Sequence, residues 1–529
     1  MYIKLPFILF FIILNQIYSK TKLLSKDESK MAGVKIALKQ DLILDFQRKY
    51  IPTLLDKIGH ISIPDQQIDI DAKIGTLHIY LTGINFSITN LLSDNIFVNF
   101  NSPNLIQISA KKITGNGNLR SKFKLGFISE TDTVNFDIKD LEISVETALE
   151  TIESRISPGK LIPSCSITDI KININFDFDI HGSLIAAIAK LVHSKIHDLI
   201  NDKIQNSLKA SIQNTINNLI QENVNKLPVY IPINKFDLSV DYSLVSKPVI
   251  IDKYLILNSF GSIVNLNKPE SLNIPYSLPE NLPDFDKNGK LSQVFFSDFS
   301  LNTAIRTLHL TGLLKVSIDS SEIPKDSPVQ FNTTSLDLLI DGFIDVYGKD
   351  KLVKFDCESY GESPEITIPE NKAIGNLNAF CGIFVEVENS NSTNNNTNLS
   401  FDKAIEFNTS VTVNANAILT EGGKITVNIQ SLNLKNTQFL FSKIPKGSAN
   451  RFEELVNFSS RLIVPFLNKK YLNDLSVEIP SFDGIYFNDS TLEIKERFIE
   501  INLTPKVTAI KNVKALIKNK NEEDEIKYN

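Results

Sequence analysis

The chain has 529 residues, of which 42% are hydrophobic and 22% charged, and its formal net charge is −6. Its length and apolar fraction are those of a globular protein with two or more cores. The acidic balance excludes a global basic field that could hold nucleic acid or an anionic membrane, so any contact with either must be local.

The first residues, MYIKLPFILFFIILNQIYSK, place one lysine before an apolar run from Leu5 to Leu14 and a small-residue exit near Ser19. This order is typical of a signal peptide. The run is shorter than the ~20 apolar residues that a transmembrane helix needs. We therefore predict a signal peptide at residues 1–19. The mature protein is then secreted or lies in the endolysosomal lumen.

Asn-X-Ser/Thr sequences agree with a secretory route, and we expect a glycoprotein. The candidate glycosylation sites are Asn85, Asn332, Asn391, Asn395, Asn398, Asn408, Asn457, Asn488 and Asn502. The cysteines are Cys165, Cys357 and Cys381. In an oxidising compartment we expect one disulfide bond, between Cys357 and Cys381, with Cys165 left over.

Apolar residues recur at helical intervals from about Val34 to Ile58, which predicts a first helix with a break near Pro52. Between Ile61 and Ile180 the period changes to two, most clearly in IKININFDFDI (170–180). This alternation predicts long antiparallel strands.

A second, unusually long helix is predicted from about Ser183 to Val224. Isoleucine or leucine occupies nearly every fourth position in it, at 196, 200, 204, 208, 212, 216 and 220. Such a stripe drifts around the helix axis by roughly 40° per step. A strongly twisted sheet wrapped along the helix would bury it. The alternative is a coiled coil, which requires apolar residues every 3.5 positions on average.

The second half repeats the order helix, long sheet, helix, which indicates two duplicated domains. Residues 291–308 predict a short helix, and residues 451–475 predict a late helix interrupted near Pro465. Between the halves, residues 227–264 alternate like strands that form a sheet shared by both domains. Residues 389–398 predict a polar loop.

Six short segments carry family signatures in chain order. They are AGVK (32–35), IPD (63–65), LVHSKIHDLINDKIQNSL (191–208), VDYSLVSKP (240–248), LLKVSIDSSEIPKDSP (313–328) and LIVPFLNKKYLNDLSVEIP (462–480). Over about residues 31 to 505 the chain thereby resembles the family of bactericidal/permeability-increasing protein, lipopolysaccharide-binding protein and the plasma lipid transfer proteins. The resemblance implies an α+β boomerang of two similar elongated barrels joined by a central sheet. Each barrel is a highly twisted antiparallel sheet wrapped on a long helix, with an apolar lipid pocket between them.

The implied domains are a lipid-binding barrel at 31–227, a central sheet or linker at 228–265, a second lipid-binding barrel at 266–505 and a charged tail at 506–529. One departure concerns the disulfide that the family forms in its first domain. Cys165 matches one of its cysteines, but the match for the other falls near Lys209. Losing a disulfide typically costs about 2–5 kcal/mol, so packing must compensate or Cys165 pairs with another molecule.

Because the resemblance implies apolar lipid pockets, several apolar residues become candidates to line them. The alternative is that these residues form ordinary core. For the first pocket they are Leu38, Leu42, Phe46, Ile188, Val192, Ile196 and Ile200. For the second they are Phe296, Phe299, Leu455, Phe458 and Leu462. Burial of an acyl chain at about 0.8 kcal/mol per CH₂ holds a lipid without any charge contact.

ITGNGNLRSKFKLGF (113–127) has turn residues followed by Arg120, Lys122 and Lys124, which share one face of a strand. It resembles the first-domain tip hairpin that, in the bactericidal members, carries a denser basic cluster facing lipopolysaccharide phosphates. About 1 kcal/mol per cation near an anionic membrane gives a transient contact. The alternative is an ordinary solvated strand face.

Two weaker patterns remain. His193 and His197 stand at zinc-ligand spacing, but no glutamate follows the first histidine and no third ligand is evident. The segment from Asp284 to Gly289 begins like a calcium loop, yet its twelfth position is Phe295. We interpret it as a surface turn.

No nucleophile elbow, phosphate loop or paired-cysteine metal motif is present in the sequence. We therefore predict a non-enzymatic, monomeric protein that binds phospholipid or lipid A-type acyl chains, with no cofactor, metal or nucleic acid. Lipid transfer is compatible with this function. The alternative is an innate-immunity protein that binds lipopolysaccharide through the basic hairpin. A metal-dependent hydrolase built on His193 and His197 is the remote third.

Overall fold

The computed structural model describes residues 31–42, 60–177 (apart from 73–74 and 91), a few residues between 198 and 214, and 229–507 apart from short gaps. The gaps are 234–236, 280–281, 321–329, 389–398, 421–423, 473–475 and 479–484. The described strands form four antiparallel sheets. Among the described helices, none is long and apolar enough to cross a membrane.

The strands of the first half are β1 (Val34–Lys39), β2 (His60–Ile63), β3 (Gln66–Ala72), β4 (Gly75–Asn90), β5 (Ile96–Asn101), β6 (Leu105–Leu125), β7 (Ile128–Glu153) and β8 (Leu161–Asp177). The joining segment contributes β9 (Tyr230–Ile233), β10 (Leu238–Asp241), β11 (Val249–Ile251), β12 (Tyr254–Ser259) and β13 (Ile263–Asn265). A 3₁₀ turn covers Ser93–Asn95.

The second half contains β14 (Ser292–Ser297), β15 (Lys315–Asp319), β16 (Val353–Ser359), β17 (Glu365–Thr367), β18 (Ala373–Glu388), β19 (Leu399–Thr420), β20 (Lys424–Ser442), β21 (Ser476–Glu478), β22 (Ile485–Lys495) and β23 (Phe498–Val507). The helices are α1 (Pro269–Leu272), α2 (Asp298–Leu310), α3 (Thr333–Leu339), α4 (Phe343–Tyr347) and α5 (Ala449–Leu467). A π-helical turn, Asn468–Leu472, follows α5.

The first long sheet has the order β2-β4-β6-β7-β8, with β3 also on β4 and β5 on β6. The prediction of long antiparallel strands after Ile61 is confirmed, since β6 has 21 residues and β7 has 26. Alternate side chains face one apolar cluster that includes Ile79, Phe86 and Phe136. The period of two read from the sequence is therefore the period of this buried face.

A six-stranded central sheet has the order β11-β12-β1-β14-β23-β22. Its two halves match: β1 and β14 pair antiparallel at the centre, and each is flanked by a hairpin. The expectation that the joining segment supplies strands to a shared sheet is confirmed by β11 and β12. The same segment also forms a small sheet of order β13-β10-β9.

The prediction of a helix from Val34 is wrong for Val34–Lys39, which is strand β1; helical residues begin at Gln40. Both faces of β1 are covered: Leu38 packs in the cluster of Phe100 and Leu255, while Ala37 packs in that of Tyr254. A strand buried on both faces lacks clear alternation. In the sequence, its apolar residues therefore continue into those of the following helix without a visible change of period.

The helix expected at 291–308 is corrected in the same way. Its first half is strand β14, and helix α2 begins only at Asp298. Ser297, the residue before α2, donates its backbone N–H and its hydroxyl to the carbonyl oxygen of Gly33, at 3.0 and 2.7 Å. The start of α2 is thereby fixed to the start of β1. In both halves a central strand leads directly into helical residues.

The second long sheet has the order β15-β16-β18-β19-β20-β21, with β17 on β18. Helix α5 packs on it and places Phe452 in the sheet's apolar cluster. The late helix is thus confirmed, but Pro465 does not end it, because α5 continues to Leu467. The irregularity comes later, as the π-helical turn. The fold class is α+β with mostly antiparallel sheet.

The predicted disulfide between Cys357 and Cys381 is present, and the two cysteines face each other on β16 and β18. Cys165 is completely buried in a cluster with Leu149 and Ile162. Its burial makes pairing with a second molecule incompatible with this fold. Four predicted features lie outside the described residues, apart from scattered helical positions between 198 and 214: the signal peptide, the long second helix from Ser183, the polar loop at 389–398 and the tail beyond Val507.

Candidate functional sites

The basic hairpin is formed by β6 and β7 and ends in a turn at Gly126 and Phe127. Gly126 has φ +58°, which favours glycine, and the Phe127 side chain is 99% exposed. A large apolar side chain with almost no protein contact is an unusual use of phenylalanine. Sequence reasoning missed Phe127, although the glycine before it marks the turn.

Arg120, Lys122 and Lys124 are all exposed on the outer face of β6, as the alternation predicts. The intervening Ser121 and Phe123 are buried on the inner face. Pairing with β4 sets Arg120 opposite Thr82, Lys122 opposite Tyr80, and Lys124 opposite His78. On the other side β7 presents Thr133, Thr131 and Ser129 to the same three residues. We call these three cations together with Phe127 the tip patch.

His78 connects the tip patch to a carboxylate. Its Nδ1 lies 2.8 Å from Oδ1 of Asp69 on β3, and both side chains are partly exposed. The hydrogen bond from His78, with a second from Gln67, lowers the pKa of Asp69 below its usual value. Asp69 therefore remains an anion on the same outer face, across His78 from Lys124, and limits the positive charge of this face.

The interior of the second half is aromatic. The rings of Phe407 on β19, Phe439 on β20 and Phe452 on α5 are in mutual contact, with centroids 5.1 to 6.2 Å apart. The Phe407–Phe452 pair is edge-to-face, a favourable geometry for two rings. These contacts hold the helix on the inner face of the sheet. None of the three residues was predicted, because they are far apart in sequence.

The buried side of α5 includes Phe452, Ser460, Val464 and Leu467. Phe458, predicted to line the second pocket, is 84% exposed and lies on the opposite side of the helix. Its placement follows from helical spacing, since 458 is half a turn away from 460 and 464. Leu455 and Leu462 lie on α5, but their side chains are outside the described residues.

The remaining second-pocket candidates lie near the central sheet. Phe296 is on β14, opposite Val34 of β1. Phe299, in the first turn of α2, is 3% exposed and stacks edge-to-face on Phe260 at 5.5 Å. Its described ring contact is therefore with the joining segment. The structure does not bring these two residues together with Phe458.

Of the first-pocket candidates, Leu38 is on β1 and packs in the cluster of Phe100 and Leu255. Leu42 is 6% exposed in the helical residues that follow β1. The other five candidates, Phe46, Ile188, Val192, Ile196 and Ile200, lie outside the described residues. The pocket assignments remain predictions.

Two asparagines join α5 to the edge of β20 that faces away from β19. Asn457 accepts from the backbone N–H of Leu434 at 2.6 Å and donates to its carbonyl at 2.9 Å. Asn468, just beyond α5, makes the same pair of bonds with Ile429, at 2.9 and 2.8 Å. Eleven helical residues and five extended residues both span about 16.5 Å, so the two contacts match in spacing. We call this pair the amide clamp.

The two weaker metal patterns differ in how much of each the structure describes. His193 and His197 lie outside the described residues. The segment after Asp284 is a turn, in which the Gly289 N–H donates to the carbonyl of Asp286 and the Asn288 N–H to its carboxylate. Among the described residues, no group of three potential metal ligands is clustered.

The fold is therefore that of a class of elongated α+β proteins in which a central sheet joins two long antiparallel sheets. The chain belongs to the LBP / BPI / CETP family: the model of the family's C-terminal domain matches residues 232–504, just over half of the chain.

Two further comparisons give individual proteins. A protein of Mus musculus, "Lipopolysaccharide-binding protein", is 27% identical over 223 residues, which are 41% of this chain. The similarity spans 43% of that relative's length, less than half. A solved structure titled "Crystal structure of lipopolysaccharide binding protein" is 19% identical, with a TM-score of 0.48, over 90% of this chain and 99% of the other.

Proposed function

We propose that this protein is a secreted, non-enzymatic lipid-binding protein that holds the acyl chains of phospholipid or lipid A-type lipids between helix and sheet. The observation that carries the proposal is the contact of α5 with the second long sheet, where the helix meets an aromatic and aliphatic inner face. Apolar chains need only such surface to bind. Membership of the family and the name of the mouse relative support the choice of ligand class.

The sheet also offers a physical route for opening. The described contacts between α5 and the edge of β20 include polar bonds, namely the amide clamp and the Glu453 carboxylate on the N–H of Thr437 at 2.8 Å. Hydrogen bonds exchange readily with water at little net cost, whereas apolar packing does not. We propose that lipid enters along this seam and that transfer between membranes uses the same opening.

The second candidate function is antibacterial defence through lipopolysaccharide, and the tip patch favours it. Three exposed cations on one strand face can pair with phosphate groups, while Phe127 can insert among acyl chains. The cluster is small and Asp69 adjoins it. We therefore place the tip patch as a transient membrane contact that brings the lipid carrier to its cargo.

Lipid extraction tests the first proposal. The secreted, deglycosylated protein is weighed by native mass spectrometry, extracted with organic solvent, and the released lipids are identified. We expect a phospholipid-sized adduct for each filled barrel and uptake of fluorescent phospholipid by the extracted protein. A protein that releases no lipid and takes up none contradicts the proposal. Binding to lipopolysaccharide-bearing cells that vanishes with the tip cations, without lipid adducts, supports the second candidate instead.

A further inference from the structure

The outer face of the second long sheet is polar and uncharged along the middle of β19. From Asn408 to Asn416 the outward residues of this strand are Asn408, Ser410, Thr412, Asn414 and Asn416. Side-chain hydrogen bonds tie this row to its neighbours: Ser410 to Asn378 at 3.0 Å, Thr412 to Asn376 at 3.0 Å and Asn414 to Ser431 at 2.7 Å. Amides and hydroxyls of this kind suit the hydroxyl groups of a neutral sugar.

An aromatic pair stands at one end of this row. Phe380 on β18 lies directly opposite Asn408, so the two side chains share the outer face. The ring of Tyr360 meets Phe380 edge-on at 6.4 Å, and Tyr360 is 38% exposed. A pyranose ring has an apolar face of C–H groups that can cover an aromatic ring, with its hydroxyls left at the rim. The aromatic pair and the polar row therefore complement the two parts of a sugar.

Asn408 begins the sequence Asn408-Thr-Ser, and its amide is the least committed of the described sequons. Its Oδ1 is buried without a hydrogen-bond partner, and its Nδ2 makes no hydrogen bond with the described residues. A buried carbonyl oxygen without a donor is costly and rare in folded proteins. Because Oδ1 is buried, a partner from outside the chain can meet this amide only at Nδ2.

The other sequon asparagines whose side chains are described already make hydrogen bonds within the protein. Asn457 uses both amide atoms in the amide clamp. Asn85 donates to the carbonyl of Gly83, and Asn502 donates to the carboxylate of Glu500. Asn332 caps α3 by accepting from the N–H of Ser335, which leaves its nitrogen available. A glycan on Asn457 displaces the amide clamp, whereas one on Asn408 or Asn332 breaks no described hydrogen bond.

We propose that Asn408 carries an N-linked glycan whose first sugar lies on Phe380 and Tyr360, and that Asn457 carries none. In the transfer, Asn408 Nδ2 attacks the anomeric carbon of a lipid-pyrophosphate-linked oligosaccharide. The N–C bond forms, the C–O bond to pyrophosphate breaks, and one amide proton leaves. Folding then seats the sugar on the outer face, where its ring covers the aromatic pair and its hydroxyls meet the polar row. The inference rests on the secretory route of the proposed function.

Glycopeptide mapping of the full chain secreted from a eukaryotic host tests the assignment. We expect Asn408 to be occupied and Asn457 to be unmodified. Glycan on another sequon with none on Asn408, or a folded protein with glycan on Asn457, overturns the proposal. If no sequon carries glycan, the secretory route itself is wrong, and this inference fails with it. Lipid binding, measured separately on the same preparation, shows whether the carrier function fails as well.

Seating of the sugar is tested by native deglycosylation. We expect amidase to release the Asn408 glycan roughly fivefold faster from Phe380→Leu than from the unaltered protein, since one sugar–ring contact is lost. Phe384→Leu is the matched control, because Phe384 is on the same face of β18 but opposite Lys403. Thermal unfolding of both variants checks that they fold. Equal release rates in all three proteins contradict the seating.

Discussion

The ammonium nitrogen of Lys160 lies 2.6 Å from Oδ2 of Asp241, whose side chain is only 1% exposed. The other carboxylate oxygen accepts from the N–H of Ser243 at 2.9 Å, and the ammonium group also lies 4.6 Å from the centre of the Phe260 ring. Lys160 precedes β8 of the first half, and Asp241 ends β10 of the joining segment. An ion pair with a buried carboxylate and a partly exposed lysine thus joins the first long sheet to the joining segment.

We expect Asp241→Asn to lower the free energy of unfolding by about 2 kcal/mol, because the buried carboxylate's charge-assisted hydrogen bond to Lys160 is lost. Denaturant titration followed by circular dichroism measures the change. Asp284→Asn is the control, since Asp284 is fully exposed and 3.8 Å from Lys35. If the two variants unfold alike, the ion pair does not fasten the sheets.

Gly33 is expected to tolerate no side chain. An ideal Cβ on it would lie 2.0 Å from the carbonyl oxygen of Phe260, which is backbone and has no room to move. Gly33→Ala must therefore separate β1 from the joining segment, at a cost of about 3 kcal/mol or more. Secretion yield and the thermal unfolding midpoint report the effect. Gly375→Ala, which meets nothing within 4 Å, should behave as the unaltered protein.

The amide clamp should be worth more than a surface contact. Asn457→Ala leaves the N–H and C=O of Leu434 without partners, which we expect to cost about 1–3 kcal/mol. Hydrogen exchange should then accelerate at the Leu434 amide while the amides of β18 stay protected. Asn376→Ala removes an exposed asparagine from the outer face and provides the comparison. Unchanged exchange at Leu434 would show that α5 is held by apolar packing alone.

Acid should weaken the contact between α4 and β19. Hydrogen bonds from Lys443 and then Tyr347 hold the pKa of Asp402 below its ordinary 3.8. A carboxyl with a lowered pKa contributes stability above its unfolded value, and the contribution is lost as the pH falls through the folded value. Asp402→Asn should therefore flatten the fall in stability below pH 3.8. Unfolding midpoints on both sides of that pH, with Glu362→Gln as control, test this.

The tip patch should govern attachment to anionic bilayers. Replacing Arg120, Lys122 and Lys124 together by serine should weaken binding to phosphatidylserine vesicles on the order of a hundredfold at low salt, at about 1 kcal/mol per cation. The loss should shrink as salt is added. Serine at the exposed Lys268, Lys349 and Lys372 makes the same change of charge elsewhere. Equal loss in both triple variants would assign binding to net charge.

The contribution of Phe127 to membrane binding can be measured separately from that of the three cations of the tip patch. Phe127→Ser should weaken vesicle binding without changing its salt dependence, because the lost contact is apolar. Cosedimentation with vesicles across a salt series measures both quantities. A steeper or shallower salt slope in Phe127→Ser than in the unaltered protein would contradict insertion of the ring.

The sequence predicted features that depend on local periodicity. The long strands after Ile61, the late helix and the facing cysteines Cys357 and Cys381 follow from alternation, helical spacing and oxidation state. The strand at Val34–Lys39 was mistaken for a helix because burial on both faces removes the alternation. Side chains outside regular periods, such as Phe127 in a turn, carried no periodic signal.

Contacts between distant segments were beyond the sequence. Phe407, Phe439 and Phe452 meet only because β19, β20 and α5 are brought together by the sheet. The partner of Asn457 is a backbone group of Leu434, which every residue type possesses, so no side-chain pattern marks it. Phe458 was assigned to the second pocket from its apolar character and the family resemblance, whereas its exposure follows from the helical phase of its neighbours.

The central sheet is completed only after nearly all of the described chain has been synthesised. The strand that pairs with the outer side of β14 is β23, which ends at Val507. It is therefore among the last parts of the described chain to leave the ribosome. Until then β14 presents an open edge, the kind of surface that pairs with other chains. A premature stop codon after residue 480 would remove both strands of the closing hairpin. Such truncated chains should therefore aggregate when expressed, even though both long sheets are nearly complete.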